Sequence, residues 1–190
     1  MSARWPVTLS SQEIKLQPLR LRDRSRWYDV RHENKEWLSP WEATLPRVNQ
    51  ESPEKVLPSF WEMVRSHNRE ARHGRSFSFM IWHRNNLVGQ ITMGGVIYGA
   101  FRGAHIGYWI DKAYANRGFT TQAVGLMTDF GFNELSLHRL EISMRPENAA
   151  SIKVAEKSGY IFEGTRPRFL HIDGAWRDHL CYVKENPAIN

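Results

Sequence analysis

The chain has 190 residues, of which 41% are hydrophobic and 24% are charged, and its formal net charge at pH 7 is +6. This length suits one domain with one hydrophobic core. Its apolar runs are shorter than the roughly 18 residues of a membrane span, and residues 1–6 do not resemble a signal peptide. The composition therefore argues against a membrane or secreted protein, and a cytoplasmic location is expected.

The positive charge comes mostly from arginines, which cluster at residues 20–31 and 65–75. A basic surface suits a polyanionic ligand such as coenzyme A, and it also suits transient binding to RNA-rich surfaces. The sequence carries no ribonucleoprotein, helix-turn-helix or zinc-finger pattern. Direct contact with nucleic acid is therefore not expected.

Cys181 is the single cysteine, which excludes an intramolecular disulfide and a thiolate metal site. It lies within residues 180–183, which predict a strand, so we expect a small buried side chain in place of a catalytic thiol. No metal is expected in the protein.

The first predicted strand covers residues 14–21, and Pro18 places it at an edge or a bulge. The helix that follows is expected to begin at Asp23 or Ser25 and to run through residue 31. Its buried side chains would be Trp27 and Val30.

The next predicted helix has a start signal at Ser52-Pro53-Glu54, where proline occupies the first helical position. Pro58 is expected to interrupt it before it continues to about His73. Gly74 then ends it.

Three strands follow, at residues 76–84, 87–98 and 105–110, and the turn residues at 83–86 predict a hairpin between the first two. From residue 120 to residue 135, apolar side chains recur at three- and four-residue spacing, which predicts a helix.

A strand at 139–144 and a helix ending before Gly159 come next. The last two strands, residues 160–171 and 176–184, are joined by Asp173-Gly174, a strong hairpin signal. This order, without repeats or a long linker, predicts one α/β domain over residues 1–190.

The loop between the third of these strands and the following helix has the sequence Ala-Asn-Arg-Gly-Phe-Thr-Thr, residues 115–121. Its backbone N–H groups and the positive end of the helix predict a phosphate site. The charge of Arg117 favours a diphosphate over a carboxylate. Taken alone, the loop also fits an ordinary strand-to-helix turn. The residues assigned to the site are Asn116, Arg117, Gly118, Phe119, Thr120 and Thr121.

A second block, residues 140–164, runs from an alternating strand through a turn into a helix. Asn148 occupies the N-cap position, Ser151 follows three residues later, and Gly159 ends the helix. The two blocks together resemble the acyl-CoA-binding core of the GNAT N-acetyltransferases. The Glu-Lys-Ser-Gly-Tyr ending at 156–160 and the Glu-Gly at 163–164 are similar to the RimJ/RimL branch, which acetylates N-terminal amines of ribosomal proteins. Weaker similarity extends forward through residues 19–23 and 37–42.

The resemblance implies an α/β (α+β) fold with a mixed, mostly antiparallel central sheet, helices on both faces and a splayed strand pair that holds acetyl-CoA. Gly107 is expected at the distortion that opens this pair. The main chain of Trp109, Ile110 and Asp111 would pair with the pantetheine as if it were another strand.

Two positions depart from the family pattern. Ala115 stands where the family usually has glutamine or arginine, and Thr120 stands where it usually has glycine or alanine. The backbone amides that would contact phosphate remain in both cases, so the binding role is retained.

The resemblance also implies that Asn148 orients the acetyl-CoA and that Ser151 donates a proton to the departing thiolate. The alternative is that both residues only cap the helix, and capping is compatible with catalysis. Glu163, His171 and Glu141 are candidates for the general base, acting directly or through water.

The acceptor is expected to be a primary amine. A free α-amine has a pKa of about 7.7–8, so its neutral form at pH 7 costs about 1 kcal/mol, against roughly 4–5 kcal/mol for lysine. A chain without an evident base therefore favours an N-terminal alanine or serine as acceptor. Trp37, Trp41 and Glu42 are expected to bind it.

Two other functions stay open. Carboxylates at Glu33, Glu36 and Glu42 would suit a small amine such as an antibiotic or polyamine. The chain could also be a non-catalytic acyl-CoA-binding regulatory module. A homodimer is an open expectation for its assembly.

Overall fold

The computed structural model describes residues 5–46 and 58–189. In that part of the chain, eight strands form one sheet with the spatial order β1-β2-β3-β4-β5-β6-β8-β7. The strands are Leu9–Ser10 (β1), Lys15–Pro18 (β2), Phe77–His83 (β3), Asn86–Ile97 (β4), Gly103–Ile110 (β5), Arg139–Met144 (β6), Ile161–Ile172 (β7) and Ala175–Glu185 (β8). The β5–β6 pair is parallel and the other neighbours are antiparallel. The expected mixed, mostly antiparallel sheet is confirmed.

The helices are Arg24–Glu33 (α1), Lys35–Leu38 (α2), Phe60–Arg72 (α3), Phe119–Asp129 (α4) and Ala149–Lys157 (α5). A π-helical turn, Phe130–Glu134, continues α4 and accounts for the helical pattern that reaches residue 135. The predicted start at Ser52-Pro53-Glu54 lies outside the described residues. Within them, α3 begins after a capping box in which Ser59 Oγ accepts from the Glu62 amide and the Glu62 carboxylate accepts from the Ser59 amide.

Alternation along β3 sends its side chains to two separate cores. Phe79 and Ile81 enter the larger core, which packs against α4 and α5. Met80 enters a smaller core with Val30 of α1 and Phe60 of α3. Helices therefore cover both faces of the sheet, as expected.

The N-terminal region differs from its prediction. The first strand is limited to β2 because residues 21–23 form a 3-10 turn, and β1 is an additional short edge strand. Asp23 precedes α1, but its carboxylate accepts from the Arg20 amide at 2.9 Å instead of capping the helix.

Asn34 fixes the junction between α1 and α2 to the end of β5. Its buried side chain donates to Asp111 Oδ1 at 3.0 Å and accepts from the Lys112 amide at 2.8 Å. These bonds hold the segment after α1 over one face of the sheet.

The parallel strands β5 and β6 separate after three residue pairs, from Gly103 with Arg139 to His105 with Glu141. The expected splayed pair is therefore present. Gly107 is not at a distortion, because it pairs in register with Thr92 of β4. The irregularity lies in β4 between residues 94 and 97, where Gly95 has a φ of +59° that a side-chain-bearing residue rarely adopts.

In the described part of the chain, the helices are too short or too polar to cross a membrane.

Candidate active site

The loop between β5 and α4 contains two residues with a left-handed backbone conformation, and the first turn of α4 follows it. Asn116 has a φ of +62° and Gly118 a φ of +78°. The first backbone bond of the helix is donated by Gln122 to the Gly118 carbonyl at 3.0 Å, so the amides of residues 119–121 precede it. A Cβ on Gly118 would meet nothing within 4 Å. Open space therefore lies in front of this loop, and its amides suit an anion.

The side chains of this loop divide into two groups. Phe119 and Thr120 are buried, and the Phe119 ring stacks on His83 with centroids 4.4 Å apart. These two residues can therefore serve a phosphate through their main chain. Arg117 is exposed, with its guanidinium carbon 5.1 Å from the centre of the Tyr114 ring, and brings a positive charge to the loop.

The main chain at the end of β5 does not point uniformly toward the gap between β5 and β6. The Asp111 amide donates to the Val88 carbonyl of β4 at 2.7 Å. Because alternate residues share a direction, the main-chain groups of Trp109 also face β4. The Ile110 carbonyl faces the gap but accepts from Trp37 Nε1 at 3.1 Å. Among the residues next to the gap, Tyr108 offers main-chain groups that the sequence prediction did not include.

Asn148 and Ser151 lie together at the start of α5. The Asn148 side chain accepts from the Ser151 amide at 3.0 Å and so caps the helix, as predicted. Ser151 Oγ lies 2.9 Å from the Tyr108 hydroxyl of β5. Ser151 thus faces the gap where β5 and β6 separate.

Burial raises the pKa of Tyr108 to about 12, and its hydrogen bond with Ser151 opposes this shift. The phenol therefore keeps its proton at neutral pH and can donate it to Ser151 Oγ. With Oγ accepting that bond, the serine proton is left to point elsewhere. The pair therefore brings two hydroxyl groups to the gap.

A cavity of about 300 Å³ opens on the opposite face of the sheet and reaches Tyr108. Its floor is β4 and β5, and its cover is the segment that follows α2. Gly107, whose Cβ would meet nothing within 4 Å, leaves space at the centre of the floor. The described residues that line the cavity are Leu38, Trp41, Glu42, Ala43, Gln90, Thr92, His105, Gly107, Tyr108 and Trp109.

The structure places two of the three predicted acceptor residues in this cavity. Trp41 lines it beneath the Arg145 guanidinium, whose carbon is 5.4 Å from the ring centre. Glu42 also lines it and forms an ion pair with Arg31 of α1. Trp37 instead bonds to the end of β5 and does not belong to the lining.

The three predicted base candidates lie outside the cavity lining. Glu163 is paired with Arg139 at 2.5 Å, and this bond lowers the pKa of Glu163. Burial raises the pKa of Glu141, but bonds from Arg139 and Arg166 outweigh burial and leave it below its usual value. His171 Nδ1 lies 2.8 Å from Thr44 Oγ1, at the end of β7.

Glu141, Glu163 and Cys181 bring three possible metal-ligand atoms within 4.8 Å of one another. Arginine guanidiniums already neutralise both carboxylates. Burial raises the pKa of the Cys181 thiol, which keeps its proton on sulfur. This cluster is a network of ion pairs between side chains of β6 and β7, next to Cys181 of β8.

Four residues that line the cavity were not predicted from the sequence: His105, Tyr108, Gln90 and Thr92. Alternation along β5 was the available signal for His105, because it shares a face with Gly107 and Trp109. The bond between Tyr108 and Ser151 joins residues 43 positions apart and left no local signal.

A family model described as an acetyltransferase (GNAT) domain matches residues 13–161. The probable N-acetyltransferase YjcK of Bacillus subtilis is 31% identical over 183 residues, covering 94% of this chain and 97% of that protein. The [ribosomal protein uS5]-alanine N-acetyltransferase of Escherichia coli is 26% identical over 184 residues, covering 95% and 92%.

Among solved structures, Mycobacterium smegmatis RimJ in complex with CoA-disulfide superposes with a TM-score of 0.88 at 34% identity. The match covers 100% of this chain and 92% of that one.

Proposed function

The chain belongs to the GNAT acetyltransferase family, and from this premise we propose that it acetylates the N-terminal α-amine of a protein that begins with alanine or serine. It is an acetyl-CoA-dependent N-acetyltransferase. One observation carries the choice of acceptor: the cavity over Gly107 is lined largely by aromatic and apolar side chains and reaches Tyr108, whose hydroxyl bonds to Ser151 on the other face of the sheet. We assign residues 1–190 to one catalytic domain.

The diphosphate of acetyl-CoA is assigned to the amides of residues 117–121, with Arg117 supplying charge. The space before Gly118 supports this assignment. The pantetheine would enter the gap between β5 and β6, where the Tyr108 main chain takes the role first expected of Trp109 and Asp111.

Acetyl transfer proceeds by direct attack of the amine on the thioester carbonyl and needs no metal. The nitrogen–carbon bond forms, the carbon–sulfur bond breaks, and sulfur leaves as a thiolate. Ser151, bonded to Tyr108, is assigned to protonate that thiolate, and the positive end of α5 stabilises the negative charge while it develops.

The charge of the cavity favours an N-terminal peptide over a polyamine. Glu42 is the carboxylate among the described lining residues, and Arg31 already neutralises it. Glu33 and Glu36 are exposed and do not belong to the lining. A polycation would find little charge to bind here, whereas a small first residue could contact Trp41 and Trp109, which both line the cavity. A ribosomal or other newly made protein is the proposed acceptor, which would place the enzyme in the cytoplasm.

The deciding experiment incubates the protein and acetyl-CoA with peptides that begin with alanine, serine or methionine, and with spermidine and an aminoglycoside. Mass spectrometry locates the acetyl group. Acetylation of the alanine or serine α-amine is expected. The same peptide with a blocked N-terminus and an internal lysine is the matched control, and it should stay unmodified. Acetylation confined to the polyamine or to lysine would contradict the proposal.

Replacing Trp41 by alanine is expected to raise KM for the peptide by roughly tenfold or more, because an aromatic contact worth about 1.5 kcal/mol is lost. The affinity for acetyl-CoA should not change, since Trp41 lies on the opposite face of the sheet from Ser151. Steady-state kinetics and calorimetry measure the two quantities. Trp61→Ala, at a half-exposed tryptophan outside the cavity, is the control. An equal loss of peptide and acetyl-CoA binding would indicate general destabilisation.

A further inference from the structure

We propose that His105 accepts the proton of the acceptor amine and that a glycine bulge in β4 holds its imidazole in the acceptor cavity. The proposal rests on this cavity being the acceptor site. His105 belongs to the described lining, whereas Glu163, Glu141 and His171 do not.

The position of His105 follows from strand alternation. Ala104 and Ile106 point into the larger core, so His105 and Gly107 point to the other face, into the cavity. His105 is also the last residue of β5 that pairs with β6, so it stands where the two strands begin to separate. An amine bound in the cavity over Gly107 would therefore lie close to His105, next to the gap proposed for the thioester.

Two consecutive glycines make room for the imidazole ring. A Cβ on Gly94 would lie 2.8 Å from His105 Nε2, and a Cβ on Gly95 would lie 2.8 Å from Cε1. Both distances are below those of real contacts, so residues with side chains at these positions would displace the ring. Gly95 also has a φ of +59°, at the irregularity between β4 and β5. The bulge thus sets the position of His105.

His105 is a free base at neutral pH because burial disfavours its protonated form. Burial lowers the pKa of its imidazole, and Glu141 on β6 acts in the opposite direction. Gln90, Thr92, Gly94 and Gly95 of β4 do not titrate. The titratable and charged groups nearby are Glu141 with Arg139 and Arg166, Glu42 with Arg31, and Tyr108.

The proton balance of the reaction gives His105 one role. An ammonium acceptor loses two protons on becoming an amide. One passes to the unprotonated nitrogen of His105 and then to solvent. The second proton replaces the one that Ser151 gives to the thiolate.

The test compares His105→Gln with the wild type on two acceptors. The first is an alanine peptide, and the second is the same peptide with an aminooxy group in place of the amine, which is neutral across the assay range. With the alanine peptide at pH 7, kcat should fall by about 5- to 10-fold, because the neutral α-amine costs about 1 kcal/mol there. With the aminooxy peptide, the loss should be far smaller, because little help with proton removal is needed. His32→Gln, at an exposed histidine of α1, is the control.

The pH profile gives a second readout. In the wild type, kcat for the alanine peptide should fall on the acid side as His105 is protonated, with a midpoint below the ordinary histidine value of about 6.5. His105→Gln should lack this limb. Gly94→Ala, which has no backbone strain but displaces the ring, should lower kcat and leave acetyl-CoA affinity unchanged.

Equal losses on both acceptors, or a wild-type kcat and pH profile in His105→Gln, would overturn the proposal. If the wild type acetylates a small amine and no peptide, the acceptor proposal fails on its own. The same comparison, made with that amine and its aminooxy analogue, then still tests His105.

Discussion

Replacing Gly118 by alanine is expected to weaken coenzyme A binding by about 5- to 30-fold. Gly118 has a φ of +78° immediately before α4. A residue with a Cβ destabilises that conformation by roughly 1–2 kcal/mol, and each 1.4 kcal/mol corresponds to a tenfold change in affinity. The added methyl group would also stand in the open space before the amides of α4. Calorimetric titration of coenzyme A into the folded variant measures the change.

Two controls separate loss of the diphosphate site from general damage. Gly125→Ala changes a glycine of the same helix that has no positive φ and has open space around it, so affinity should be retained. S-acetylpantetheine lacks the diphosphate, and kcat/KM for this donor should be the same in Gly118→Ala as in the wild type. Wild-type affinity for coenzyme A in Gly118→Ala would show that this loop does not hold the diphosphate.

The sequence predicted those features of the site that depend only on residues close together in the chain. The Asn148 cap joins residues three positions apart and was predicted from residue type. The Asp173-Gly174 turn has positive φ at both residues and joins β7 to β8. Such features need no knowledge of the rest of the fold.

The cavity over Gly107 was not predictable in this way, because distant segments build it. Its cover is held by an isolated bridge between Ala43 and Ile172, at the far end of β7. The sequence also did not predict which way the N–H and C=O groups of β5 point, because this depends on which residue of β4 lies opposite Asp111. The role of the glycine pair at 94 and 95 became visible only when the register placed them against His105.

The order of the last strands is a further long-range feature. β8 lies between β6 and β7, so the final strand of the chain pairs with β6 instead of lying at the edge. This arrangement carries Glu163 to the side of the sheet occupied by Arg139. Glu163 was predicted as a base candidate, and its contact with Arg139, which lowers its pKa, could not be read from the sequence.

Ser151→Ala is the second substitution with a large expected effect, and it should lower kcat by about 100-fold. A general acid contributes roughly 10²–10⁴-fold, and a thiolate, which is a stable anion, needs its help less than an alkoxide does. KM for acetyl-CoA should change little, because the hydroxyl acts on charge that develops after binding. Tyr108→Phe should cause a smaller loss, since Ser151 keeps its own proton.

At Ser151, a catalytic role can be distinguished from a structural role in capping α5. The cap bond joins the Asn148 side chain to the backbone amide of Ser151, so Ser151→Ala retains it. Asn148→Ala removes it and should lower the free energy of unfolding by about 1 kcal/mol. Denaturant unfolding of the two variants should therefore show a loss for Asn148→Ala alone, while kinetics show the large fall in kcat for Ser151→Ala. A Ser151→Ala enzyme with the wild-type kcat would remove Ser151 from the chemistry and leave Asn148 as a cap.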